Sequence, residues 1–175
     1  EMYEMIPFAE ELVRVISAVK PAIIVDAERA LSSELKECAA FVAGNYESFV
    51  QSLFGEMVLR NNTYKDAMLD PDSLTSFEER TYVIVGMKRL LDQLTPDGKD
   101  KLSTLLEKAE AIYKLHFVVV ETAAGYKDCA YGGWYKRHLN GADGVWIGDG
   151  IADQYFLKIN KITSELYEEI GSDYG

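Results

Sequence analysis

The sequence is poor in the residues that would tie it to an oxidising or metal-bound setting. Only two cysteines occur in 175 residues, Cys38 and Cys129, far apart and outside any CxxC spacing. That excludes a disulfide framework and a cysteine-based zinc site, and it suits a reducing cytosol. Positive charge is scarce as well. Eighteen lysines and arginines stand against 29 acids, for a formal net charge of −11. A nucleic-acid backbone would meet mostly like charge, so DNA and RNA are not expected as partners. No apolar run approaches the roughly 20 residues that cross a bilayer, and no basic-then-apolar leader opens the chain, so direct membrane contact is not expected either. Repeats, low-complexity tracts and Gly/Ser linkers are missing too. Residues 1–175 therefore read as one domain, and with 48% hydrophobic residues that domain can bury a core unaided.

What is present is an alternation of helical and strand patterns. Residues 3–19 place Ile6, Ala9, Val13 and Ile16 on one helix face and Phe8, Leu12, Val15 and Val19 on the next, with Pro7 in the first turns, which predicts a helix buried over most of its circumference. Ala22 to Asp26 is a short apolar run of the kind found in parallel strands covered on both faces. Residues 46–69 form a second helical pattern behind Asn45, a capping residue. Thr81 to Val85 reads as another buried strand, followed by a helical turn around Met87 to Leu91. Thr95-Pro96-Asp97 is an N-cap, a proline at the first helical position and an acid at the positive end of the dipole, opening an amphipathic helix through Tyr113. His116 to Glu121 is a third strand. A short aromatic helix over Trp134 to Leu139, a fourth strand over Val145 to Ile147 and an edge strand over Tyr155 to Ile159 complete the pattern. Apolar strands separated by helices predict an α/β fold, a mostly parallel sheet with helices on both faces.

In such a sheet ligands sit beyond the carboxyl ends of the strands. Those ends offer little chemistry. Asp26 and Glu121 are the candidates for holding a cation or a cofactor, against the plainer reading that strand-end acids are solvated caps. Gly148-Asp149-Gly150 resembles the GxG of a dinucleotide loop, but Asp153 stands where a third glycine belongs and too little chain follows; a turn with positive φ accounts for it better. His116 and His138 have no nucleophile nearby in sequence. Asp143, Asp149 and Asp153 lack the ligand alternation of a calcium loop, so no metal site is expected. No GxxxxGK[ST] occurs; if residues 3–19 form the helix that follows a P-loop, the loop lies upstream of Glu1. A magnesium-holding strand must end in an acid, and Val85-Gly86-Met87 does not.

The run Asp143-Gly144-Val145-Trp146-Ile147-Gly148-Asp149-Gly150-Ile151-Ala152-Asp153-Gln154, with Phe156-Leu157-Lys158-Ile159 after it, resembles the signature near the C-terminus of type VII secretion ATPases of the EssC/YukB family, relatives of FtsK and SpoIIIE. Asp97 to Leu102 and Trp134-Tyr135-Lys136 agree with that placement. The resemblance implies a RecA-like P-loop NTPase fold with a degenerate nucleotide site, here as the last ATPase module of a longer membrane-anchored chain. It implies a cytoplasmic location, homo-oligomer assembly, neighbouring modules that bind ATP and magnesium, and WXG100 proteins as secreted partners. Gly148, Asp149, Gly150, Asp153 and Gln154 belong to the signature without an assigned role. No catalytic residue and no cofactor are expected in this piece. For partner binding the candidates are Trp134, Tyr135, Lys136 and Leu139, where an aromatic helix flanked by cations could anchor an apolar tail bearing an acid; the alternative is that Trp134 packs its helix onto the sheet. An active ATPase using Asp26 or Glu121 is the second functional reading, and an unrelated small-molecule enzyme the third.

Overall fold

The structure, a computed structural model, describes residues 2–67, 77–131, 144–154, 157–161 and 163–168. Four strands, β1 (Ala22–Asp26), β2 (Ala40–Phe41), β3 (Arg80–Val85) and β4 (Leu115–Val120), form one parallel sheet in the order β2-β1-β3-β4. Among the described residues five helices accompany it: α1 (Met2–Val19), α2 (Tyr46–Ala67), α3 (Met87–Asp92), α4 (Pro96–Tyr113) and α5 (Ala123–Tyr131).

Strand alternation divides the core into two layers. On β3, Tyr82 and Ile84 face one cluster with Val25, Val50, Leu53, Leu102 and Leu105, which α2 and α4 cover. Val83 and Val85 face the other, with Ile24, Ala9 and Val13, under α1 and the 3-10 turn Ser33–Glu37. Helices thus cover both faces, which is why β1 and β3 read as continuous apolar runs rather than alternating ones. The helix starts follow the sequence closely. Asn45 Oδ1 accepts from the Glu47 amide at 2.8 Å, and Thr95 Oγ1 accepts from the Gly98 amide at 3.1 Å with Pro96 in the first turn.

Three expectations are corrected. The second stripe of α1 is not buried: Phe8, Val15 and Val19 face solvent, because only one face of the helix meets the sheet. Val145 to Ile147 is not a strand. Val145 is 79% exposed, and the Trp146 indole nitrogen donates to the carbonyls of Gly148 and Asp149, both at 3.1 Å. Trp146 is therefore a half-buried anchor of its own loop and not a core side chain. Residues 157–159 are not a strand either, while 155 and 156 fall outside the described residues. The fourth strand is instead β2, only two residues long and pairing with Ile23 and Ile24.

Candidate functional site

The connections define the crevice. From β1 the chain runs outward to edge strand β2, then returns past β1 to β3 and on to β4. The direction of winding therefore switches between β1 and β3, and the carboxyl ends of those two strands are where an open α/β sheet holds its ligand.

Beyond those ends lies an open depression of about 430 Å³ lined by Ala27, Arg29, Arg89, Asp92 and Gln93. The ladder continues past both strands, with the Ala27 amide donating to the Val85 carbonyl and the Gly86 amide to the Val120 carbonyl, each at 3.0 Å. Gly86 then turns the chain into α3 with φ +82° and ψ +62°, a left-handed conformation that glycine adopts without strain. The Glu28 side chain lies against it, so a Cβ at Gly86 would stand 2.6 Å from the Glu28 Cγ. Met87, the next residue, is fully buried among the core side chains. Neither residue presents an oxygen ligand at the end of β3.

Both candidate acids are engaged by backbone amides. Asp26 is 8% exposed; its Oδ2 accepts from the Leu31 amide at 3.0 Å and its Oδ1 from Ala30 at 3.3 Å. It closes the turn after β1. Its carbonyl accepts a 2.6 Å bond from the Tyr46 hydroxyl at the start of α2. Glu121, just past β4, reaches sideways to α3. Its Oε2 accepts from the Lys88 amide at 2.9 Å and its Oε1 from the Thr122 amide at 2.7 Å. Since Gly86 caps α3 without a side chain, Glu121 supplies from the neighbouring strand the acceptor that an N-cap residue normally provides. Burial pushes its pKa above the ordinary carboxylate value, and the two amide bonds pull the other way. Each carboxylate oxygen of Asp26 and Glu121 thus accepts a backbone amide, and β3 itself ends without an acid. Among the described residues no group of three or more metal-ligating side chains converges.

At the ends of β3 and β4 lies an open depression of about 550 Å³ where Glu121, Thr122 and Gly125 meet Glu28, Lys88 and Arg89. Its charges are locally matched. Lys88 Nζ lies 2.5 Å from Asp92, and Arg89 3.6 Å from Glu28. These flanking residues were not singled out from the sequence, although each falls within a few positions of a strand end, which is the signal that would have found them. His116, opening β4 at the opposite end of the sheet, lies 2.7 Å from Glu79, which also pairs with Lys20 at 2.7 Å.

The signature loop forms a locally bonded structure. Gly148 and Gly150 both have φ +84°, which bears out the turn reading. Asp149 is exposed between them, and Asp153 closes the 3-10 turn Ile151–Asp153. Gln154 brackets the following segment: its Oε1 accepts from the Leu157 amide at 2.7 Å and its Nε2 donates to the Leu157 carbonyl at 3.2 Å. Trp134, Tyr135, Lys136 and Leu139 lie outside the described residues, as do His138 and Asp143.

With this geometry the chain is similar to a solved structure, Thermomonospora curvata EccC (ATPases 2 and 3) in complex with a signal sequence peptide, at 18% identity and a TM-score of 0.50. The fold is that of the EccC ATPase modules. The match covers 73% of this chain and 25% of that one, so this chain spans about a quarter of the EccC chain it resembles. The RecA-like α/β fold expected from the sequence is thereby present. No protein-family model matches the sequence, and no curated protein matches it. Among the described residues no helix is long and apolar enough to cross a membrane.

Proposed function

We propose that the chain is a peptide-recognition module of a type VII secretion ATPase of the FtsK/SpoIIIE kind, in the EssC branch, that does not itself turn over ATP. The observation that carries this reading is the strand-end chemistry. Where such a fold would hold magnesium, β3 ends in Gly86 and a buried Met87, and the neighbouring acids are committed to backbone amides. The signature from Asp143 to Gln154 supports the family, and the EccC likeness supports the fold. That EccC was solved with a signal sequence peptide supports peptide capture as the task left to a module without nucleotide chemistry. In this reading ATP and magnesium belong to other modules of a longer chain, which is anchored at the cell membrane with this module in the cytoplasm. The module assembles with those modules and with further copies, and the captured segments are C-terminal tails of WXG100 proteins.

The tails would bind as short amphipathic segments, weakly for one copy, because an assembled motor gains from several linked sites. On sequence grounds the contacts are Trp134, Tyr135, Lys136 and Leu139. Fluorescence anisotropy with a panel of labelled tails tests this: specific binding above a scrambled control is expected, and Trp134→Ala should weaken it by more than about 1.5 kcal/mol without moving the thermal midpoint. No binding above the control at high protein concentration would overturn peptide capture. An equal loss of midpoint and affinity would assign Trp134 to packing.

A further inference from the structure

Helix α1 carries two apolar stripes, and the protein buries one. Ala9 and Val13 are fully buried against the sheet, with Ile16 packed beside them. The second stripe runs Met5, Phe8, Leu12, Val15, Val19, spaced 3, 4, 3, 4, which is the a/d spacing of a helix that pairs with another helix. Met5 and Leu12 lean on the body of the protein. Phe8, Val15 and Val19 are 37%, 57% and 78% exposed. Three aligned, exposed, large apolar side chains make a patch, unlike the single apolar residues scattered over any surface. Val118 of β4, on the same side of the sheet, is also only partly buried.

The flank of the stripe identifies its occupant. One border is the protein body. On the solvent border the helical period places Glu4 and Glu11, both exposed, in the position from which charged residues of paired helices choose their partner. Arg14, 3.7 Å from Glu11, lies one step further round the helix and away from the stripe. Two copies of this chain joined through this stripe would bring Glu4 and Glu11 of each to the same seam. A second copy is therefore disfavoured at this stripe. We propose that the exposed stripe of α1 docks an amphipathic helix of a partner protein whose apolar seam is flanked by lysine or arginine. This surface is separate from the strand ends, and the inference does not depend on the capture of secretion tails.

Anisotropy with the full chain and three labelled helical peptides tests it. The peptides share an apolar a/d seam; in one the flank is lysine, in the second glutamate, and in the third the order is scrambled. The lysine-flanked peptide should bind, the glutamate-flanked one at least about fourfold more weakly, as expected from two exposed charge pairs, and the scrambled one not at all. Val15→Ser with Val19→Ser should weaken the lysine-flanked peptide at least about tenfold while leaving far-ultraviolet circular dichroism unchanged. Glu4→Lys with Glu11→Lys should reverse the flank preference. Equal binding of both flanked peptides, or no effect of the double serine variant, would overturn the proposal. So would a dimer in sedimentation that the serine variant dissolves, which would give the stripe to a second copy.

Discussion

Gly86 holds the chain at the switch between β3 and α3, and its conformation leaves no room for a side chain. Both the left-handed backbone and the Glu28 Cγ stand against substitution, so Gly86→Ala should lower stability by about 1–3 kcal/mol in chemical denaturation. An unchanged denaturation midpoint would mean that the turn relaxes freely. Glu121 adds a pH signature. Burial raises its pKa in the folded state, so folding favours the protonated acid. That contribution is fully present below the ordinary value of 4.5 and is lost as pH rises through the raised folded value. Glu121→Gln, neutral throughout, keeps an acceptor for the α3 amides without the buried charge. Its stability relative to the natural protein should therefore rise as the pH climbs above 4.5. Urea unfolding across that range checks the sign; a relative stability that falls or stays flat would contradict the account. Asp26 and Glu121 were visible in the sequence as strand-end acids. What they bind was not, because the Lys88 amide reaches Glu121 only through the β3–β4 register.

Elements with a full helical or strand period were legible, and short or locally held ones were not. The α4 start is the clearest success, since the cap, proline and acid act within four residues. Its tertiary role goes further: Glu47 of α2 accepts from both the Thr95 amide and hydroxyl at 2.9 Å, and Gln51 donates to Asp97 at 2.7 Å. Helix α4 is thus capped twice, by its own Thr95 and by α2. Thr95→Ala removes the first cap and the hydroxyl's donation to Glu47, and should cost about 1 kcal/mol. A loss well beyond that would make the α2–α4 tie stronger than a cap. Strand β2 escaped notice because two residues carry no period, and α5 because Ala123 to Tyr131 holds a glycine and no apolar stripe. Val145 to Ile147 misled in the other direction: three apolar residues look like a strand until Trp146 is seen bonding to its own loop. The exposed stripe of α1 shows the same limit, since apolarity states that a face prefers burial and does not say against which molecule.

At the scale of the molecule, the account rests on the proposal that this RecA-like sheet holds no metal–nucleotide group at its strand ends. The ladder runs on through Ala27 and Gly86, Met87 enters the core, and the acids are used for capping. A titration of the nitrogen-15-labelled protein with manganese–ATP addresses this directly, because a bound manganese ion broadens the amide signals nearest to it. No saturable broadening is expected for Ala27, Gly86, Lys88 or Thr122. Saturable broadening at those amides, abolished by Glu121→Gln or Asp26→Asn in a folded variant, would contradict the account and restore a working nucleotide site.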